Sequence, residues 1–112
     1  MANQSERRDA VFAALADPTR RAIVETLTRG EATVGTLAAP HEMALPSISK
    51  HIKVLERAGL VTRRVDGRQH WLRLVPDGFR SAAEWFTHYQ QFWTQSIDRL
   101  EKLVAELAEG DE

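Results

Sequence analysis

The sequence predicts a mostly α-helical protein with one small β-hairpin. Three observations carry that reading. Apolar residues recur every three or four positions in several separate segments, the spacing of helices that bury one face. Two β-prone runs flank Asp66-Gly67 in VTRRVDGRQHWLRLV, residues 61–75, and that dipeptide favours a two-residue type I′ hairpin loop. The last third of the chain then returns to helical spacing over almost thirty residues, 79–107. With 112 residues, 43% hydrophobic and 28% charged, the chain suits a single ordered domain over 1–112.

The elements follow in order. A helix is expected over 6–16, with Val11, Phe12 and Leu15 on one side. Asp17-Pro18 then punctuates the chain. Asp17 suits an N-cap, and Pro18 suits the first helical position, where its missing N–H is no loss. Ile23, Val24 and Leu27 give the next helix its apolar face, and Gly30 stops it. Thr33 caps a short helix that ends before Pro40. After the tight connection PHEMAL, a helix opens at Pro46, runs to about Ala58 and stops at Gly59. The hairpin comes next. The final helix carries Phe86, Tyr89, Phe92, Trp93, Ile97, Leu100, Leu103, Val104 and Leu107 at helical spacing and, at 1.5 Å per residue, reaches roughly 40 Å.

A short helix, a tight turn and a second helix make a helix-turn-helix, here over 33–59, and a hairpin directly behind it, 61–75, makes the winged version. On a helical wheel Ile48, Ile52 and Leu55 fall within about 60° of one another and form a buried stripe. The opposite arc holds Lys50, Lys53 and Arg57, with Ser47 and Ser49 on its shoulders. The start of a recognition helix usually makes the base contacts, so Ser47, Ser49 and Lys50 are expected nearest the bases, and Lys53 and Arg57 nearest the phosphates. His51 lies at the edge of the buried face, where it either bonds DNA or is half-buried. In the hairpin, Arg63, Arg64 and Arg68 surround a narrow turn suited to a phosphate backbone or a minor groove.

Charge supports this placement more than the net value of −1 suggests. Residues 45–76 hold Lys50, Lys53, Arg57, Arg63, Arg64, Arg68 and Arg73 against Glu56 and Asp66, a local +5, whereas residues 77–112 carry −5. One surface is expected to meet an anion and another to do something else. The absence of cysteine removes disulfides, thiolate metal sites and cysteine nucleophiles. No nucleophile with a base and no phosphate-binding glycine loop is evident, so no enzyme and no cofactor are expected. The opening MANQSERRDA has no apolar core of a signal peptide, and no run of about 18 apolar residues follows. A cytoplasmic location is the expectation.

The segments ALADPTRRAIVETL (14–27), TVGTLA (33–38) and LPSISKHIKVLERAGLV (45–61), together with the Asp-Gly hairpin, resemble the ArsR-type family of bacterial winged helix-turn-helix repressors. The likeness covers residues 10–75 closely and the last helix more loosely. It implies a homodimer that binds double-stranded DNA at a palindromic operator and leaves it when an effector, a small molecule or a protein, binds. It also implies that the first and last helices form the dimer interface, which would enlist Val11, Phe12, Leu15, Phe86, Tyr89, Phe92, Trp93, Ile97 and Leu100. Family members that sense metals use cysteines before the recognition helix or an Asp/His set on the last one. Neither set stands in this chain, and no sensory metal is expected. The aromatic cluster 85–93 reads as core and dimer seam, or as the wall of a hydrophobic effector pocket. A winged helix serving only as a protein-interaction module is the alternative function.

Overall fold

The structure, a computed structural model, describes residues 3–110. Helices α1 (Gln4–Leu15) and α2 (Pro18–Leu27) lead into a two-residue strand β1 (Ala32–Thr33), the short helix α3 (Val34–Ala38) and a 3-10 turn at Ala39–His41. Helix α4 (Leu45–Arg57), strands β2 (Val61–Asp66) and β3 (Gln69–Leu74), and a 3-10 turn at Pro76–Phe79 follow. Helices α5 (Arg80–His88) and α6 (Gln90–Gly110) complete the described chain. It divides into two compact units, one up to Ala82 and one from Ala83 onward.

The first unit has a core of Val11, Ile23, Leu37, Ile48, Ile52, Leu55, Leu60 and Leu72, all nearly solvent-free. Each such side chain contributes about 1.5–3 kcal/mol by leaving water. Ile48, Ile52 and Leu55 are the stripe expected of α4, and they are completely buried. At the end of α4, the Gly59 N–H donates to the Glu56 carbonyl (3.0 Å) and the Leu60 N–H to the Leu55 carbonyl (3.0 Å). Gly59 sits at φ +79. This is a Schellman closure, and glycine is there because the left-handed conformation penalises a Cβ.

The sheet is antiparallel in the order β1-β3-β2. Its third strand had no signal in the sequence. Ala32 and Thr33 are extended because they pair with Leu72 and Trp71. Thr33 still caps α3, accepting the Thr36 N–H on Oγ1 at 3.2 Å. The hairpin loop also differs from expectation. Asp66 pairs with Gln69, so the two loop residues are Gly67 and Arg68, not Asp66 and Gly67. Gly67 has φ +61, and Arg68 is not in the left-handed region, the pattern of a type II′ loop with glycine first.

The last helix is broken rather than continuous. Pro76–Phe79 is a 3-10 turn, and α5 and α6 are separated at Tyr89. There the Tyr89 N–H donates to the Phe86 carbonyl three residues back (3.2 Å), and regular bonding resumes with Trp93 N–H to Tyr89 carbonyl (3.0 Å). No proline or glycine marks the break. Large rings crowd it instead: Trp85, Tyr89 and Trp93 have centroids 5.0 to 6.3 Å apart. Beyond it Phe92, Ile97, Leu100, Leu103, Val104 and Leu107 form an exposed apolar stripe.

Candidate nucleic-acid interface

Helix α4 begins with Ala44 as N-cap, no side chain bonds its first turn, and no acidic residue lies there. The positive end of the helix dipole is therefore left uncompensated by the protein itself. Ser47, Lys50, Lys53 and Arg57 are exposed, and Ser49 is half-buried. Among the described residues, no carboxylate pairs with Lys50, Lys53, Arg57 or Arg68. They are among the cations left available to an anionic partner. Ser49 of α4 and Arg63 and Arg68 of the hairpin line one open groove of about 420 Å³, together with Thr33, Leu45 and His70. The loop at Gly67-Arg68 puts Arg68 at the hairpin tip, where it is exposed.

Three of the expected DNA-contacting residues have partners within the chain. His51 faces the start of α2, with Nδ1 3.3 Å from Arg20 Nη1 and 3.8 Å from Asp17. It is half-buried. Arg63 lines the groove with Ser49 and Arg68, and within it its guanidinium bonds Glu56 of α4 at 2.7 and 3.4 Å and His70 Nδ1 at 2.9 Å. Arg64 points to the opposite face of the strand, bonds Glu31 at 3.3 and 3.4 Å, and lies 5.7 Å from the centre of the Trp71 ring. Adjacent strand residues face opposite sides, so these two arginines never shared a surface. On α1, Val11 is only 1% exposed inside its own unit. A residue already removed from solvent has no area to give a second chain, so it belongs to the core, while Phe12 and Leu15 remain half-buried.

A second network surrounds the expected cap at Asp17, and its arginine bonds add to that expectation. Asp17 caps α2, accepting the Arg20 N–H at 3.1 Å. Arg20 then folds back, donating Nε to the Ala14 carbonyl (2.5 Å) and Nη2 to the Ala13 carbonyl (3.3 Å), and Arg21 reaches the Leu15 carbonyl at 2.9 Å. Asp-Pro-Thr-Arg-Arg thus starts one helix and ends the previous one. Two arginines a turn after an N-cap, just beyond a helix end, are the sequence signal that was available.

The Arg20 amide, helped by the charges of His51 and Arg20, holds the Asp17 carboxyl below its ordinary range. A lowered carboxylate stabilises the fold above the unfolded-state value, and that contribution disappears as pH falls through the folded-state value. Asp17→Asn should therefore be less stable than the parent above about pH 5, with the two urea midpoints converging as pH falls through the lowered folded-state value. An equal gap at both ends would mean that the cap acts through shape alone.

Among the described residues no three His, Asp or Glu side chains gather as metal ligands would. No described helix is long and apolar enough to cross a membrane.

A helix-turn-helix domain model matches residues 15–64. The HTH-type transcriptional regulator Rv2034 of Mycobacterium tuberculosis is 38% identical over 104 residues, covering 93% of this chain and 92% of that protein. This chain belongs to the ArsR-type family of winged helix-turn-helix transcriptional regulators. A solved ArsR family transcriptional regulator, RHA00566, superposes with a TM-score of 0.74 at 41% identity, covering 84% of this chain and 97% of that one. The transcriptional repressor SdpR of Bacillus subtilis is 30% identical over 79 residues, 70% of this chain and 88% of that protein. As a family member the chain is a DNA-binding transcriptional repressor.

Proposed function

We propose that this ArsR-type repressor binds a palindromic operator as a homodimer, acts in the cytoplasm without catalysing a reaction, and is released by an effector. The observation that carries the reading is the exposed face of α4. Among the described residues Ser47, Lys50, Lys53 and Arg57 stand there without carboxylate partners, beside a groove shared by Ser49, Arg63 and Arg68. Ser47, Ser49 and Lys50 are assigned to base edges, and Lys53, Arg57 and Arg68 to phosphates. The apolar stripe through Phe86, Tyr89, Phe92, Trp93, Ile97 and Leu100 is assigned to the contact with a second copy, as are Phe12 and Leu15. A symmetric dimer sets two recognition helices about 34 Å apart, one turn of duplex.

The test is gel retardation with the promoter of the protein's own or a neighbouring gene, run against random duplex across a salt series. Promoter DNA should bind about 10³-fold more tightly or better, and affinity should fall linearly in log–log form with salt. Lys50→Ala should cost about 1–3 kcal/mol of operator binding. Equal affinity for both duplexes, or an unchanged Lys50→Ala protein, would remove the assignment of the reading face.

A further inference from the structure

The sequence casts Arg63 as a DNA ligand; the geometry points to a different role, and we infer that Arg63 is a positioning residue. It pins the wing to the recognition helix through Glu56. The inference rests on the operator-binding reading above and adds a residue pair to it.

Helix α4 and strand β2 are joined by residues 58–60 alone. Apolar packing anchors the base of the hairpin, where Val61 and Leu72 are buried, but residues 64–69 are exposed throughout. No core therefore fixes the direction of the outer half. Arg63 stands where the buried base gives way to that exposed half. Its Nη2 meets Glu56 Oε1 at 2.7 Å and its Nε meets Oε2 at 3.4 Å, a two-pronged pairing that constrains orientation as well as distance. Nη1 engages His70 Nδ1 on the neighbouring strand at 2.9 Å. The guanidinium thus ties the last turn of α4 to both strands of the wing. Arg63 and Glu56 are each about three-quarters buried, at 25% and 28% exposure, so solvent screens the pair only partly.

A phosphate ligand would be poorly served by this arrangement. Glu56 cancels the charge that Arg63 would bring to DNA and adds its own repulsion. A positioning residue needs that same carboxylate. The two roles therefore predict opposite signs for the loss of Glu56, which makes them separable.

Glu56→Gln and Arg63→Met would be compared with the parent for operator affinity across a salt series, and for hydrogen exchange of the hairpin amides in the free protein. Both variants should bind operator about tenfold more weakly with an unchanged salt slope, because no phosphate contact is lost. Exchange over residues 64–69 should accelerate in both. The charge-reversed pair Glu56→Arg with Arg63→Glu should recover part of the affinity and part of the protection. Tighter binding by Glu56→Gln with a steeper slope would show a released Arg63 reaching phosphate and would overturn the inference. So would unchanged hairpin exchange in either variant. If the parent itself shows no preference for operator, the operator reading fails, while the exchange measurement on the free protein still decides the pin.

Discussion

Gly78→Ala is expected to be among the most damaging single-methyl changes available in this protein. A Cβ at Gly78 would fall 1.9 Å from the Gly59 carbonyl oxygen and 2.8 Å from its carbon. Both are main-chain atoms of the Schellman closure that ends α4, and neither can swing aside as a side chain would. The 3-10 turn is also fixed to that region, because the Val75 N–H donates to the Leu60 carbonyl and the Gly78 N–H to the Val75 carbonyl, each at 2.9 Å. Relief requires either the turn or the helix end to move. Overpacking of this kind costs about 3 kcal/mol, a large share of the stability of a domain this size. Urea unfolding followed by circular dichroism measures it. Gly59→Ala is the comparison: its site is open, and only the left-handed φ of +79 is strained, so about 1–2 kcal/mol is expected. If Gly78→Ala proves milder than Gly59→Ala, the close backbone approach does not describe the folded protein.

The second large effect lies on α6. Leu100 is 61% and Ile97 55% exposed, in an apolar stripe of the kind that marks an interaction surface. Ile97→Glu with Leu100→Glu should yield a monomer in sedimentation while leaving helix content intact, since both side chains are exposed on α6. Operator binding should then weaken about 10²–10⁴-fold, the loss that accompanies unlinking two half-site contacts. A double variant that stays dimeric would move the seam away from this stripe. One that becomes monomeric yet binds full operator as before would separate dimerisation from recognition.

What the sequence disclosed depended on how local each feature is. The burial of Ile48, Ile52 and Leu55 is written in a 3.6-residue repeat, and the repeat alone reveals it. The stops at Asp17-Pro18 and Gly59 are single-residue chemistry and were equally readable. Features made by pairing were not. Strand β1 exists only because β3 lies beside it. The loop moved by one residue because Gly67, not Asp66, takes the positive φ at the first loop position. Arg63 and Arg64 look alike in a count of bases, but strand alternation sends one to Glu56 and the other to Glu31. Charge counting reports how many cations a segment holds; it does not report which of them already have a partner. Likewise the repeat in the last helix is uninterrupted, and only the crowding of Trp85, Tyr89 and Trp93 accompanies the break at Tyr89.

The internal pairing of Arg63 and Arg64 also governs how the protein behaves away from its target. Counterion release scales with the phosphates neutralised. Of the seven bases in residues 45–76, two are committed to carboxylates of the same chain. On the proposed reading, grip on arbitrary duplex should be weakened accordingly, whereas the contacts assigned to base edges are untouched. Brief residence on each wrong site is the expected consequence, with a search conducted more by dissociation and rebinding than by long one-dimensional sliding.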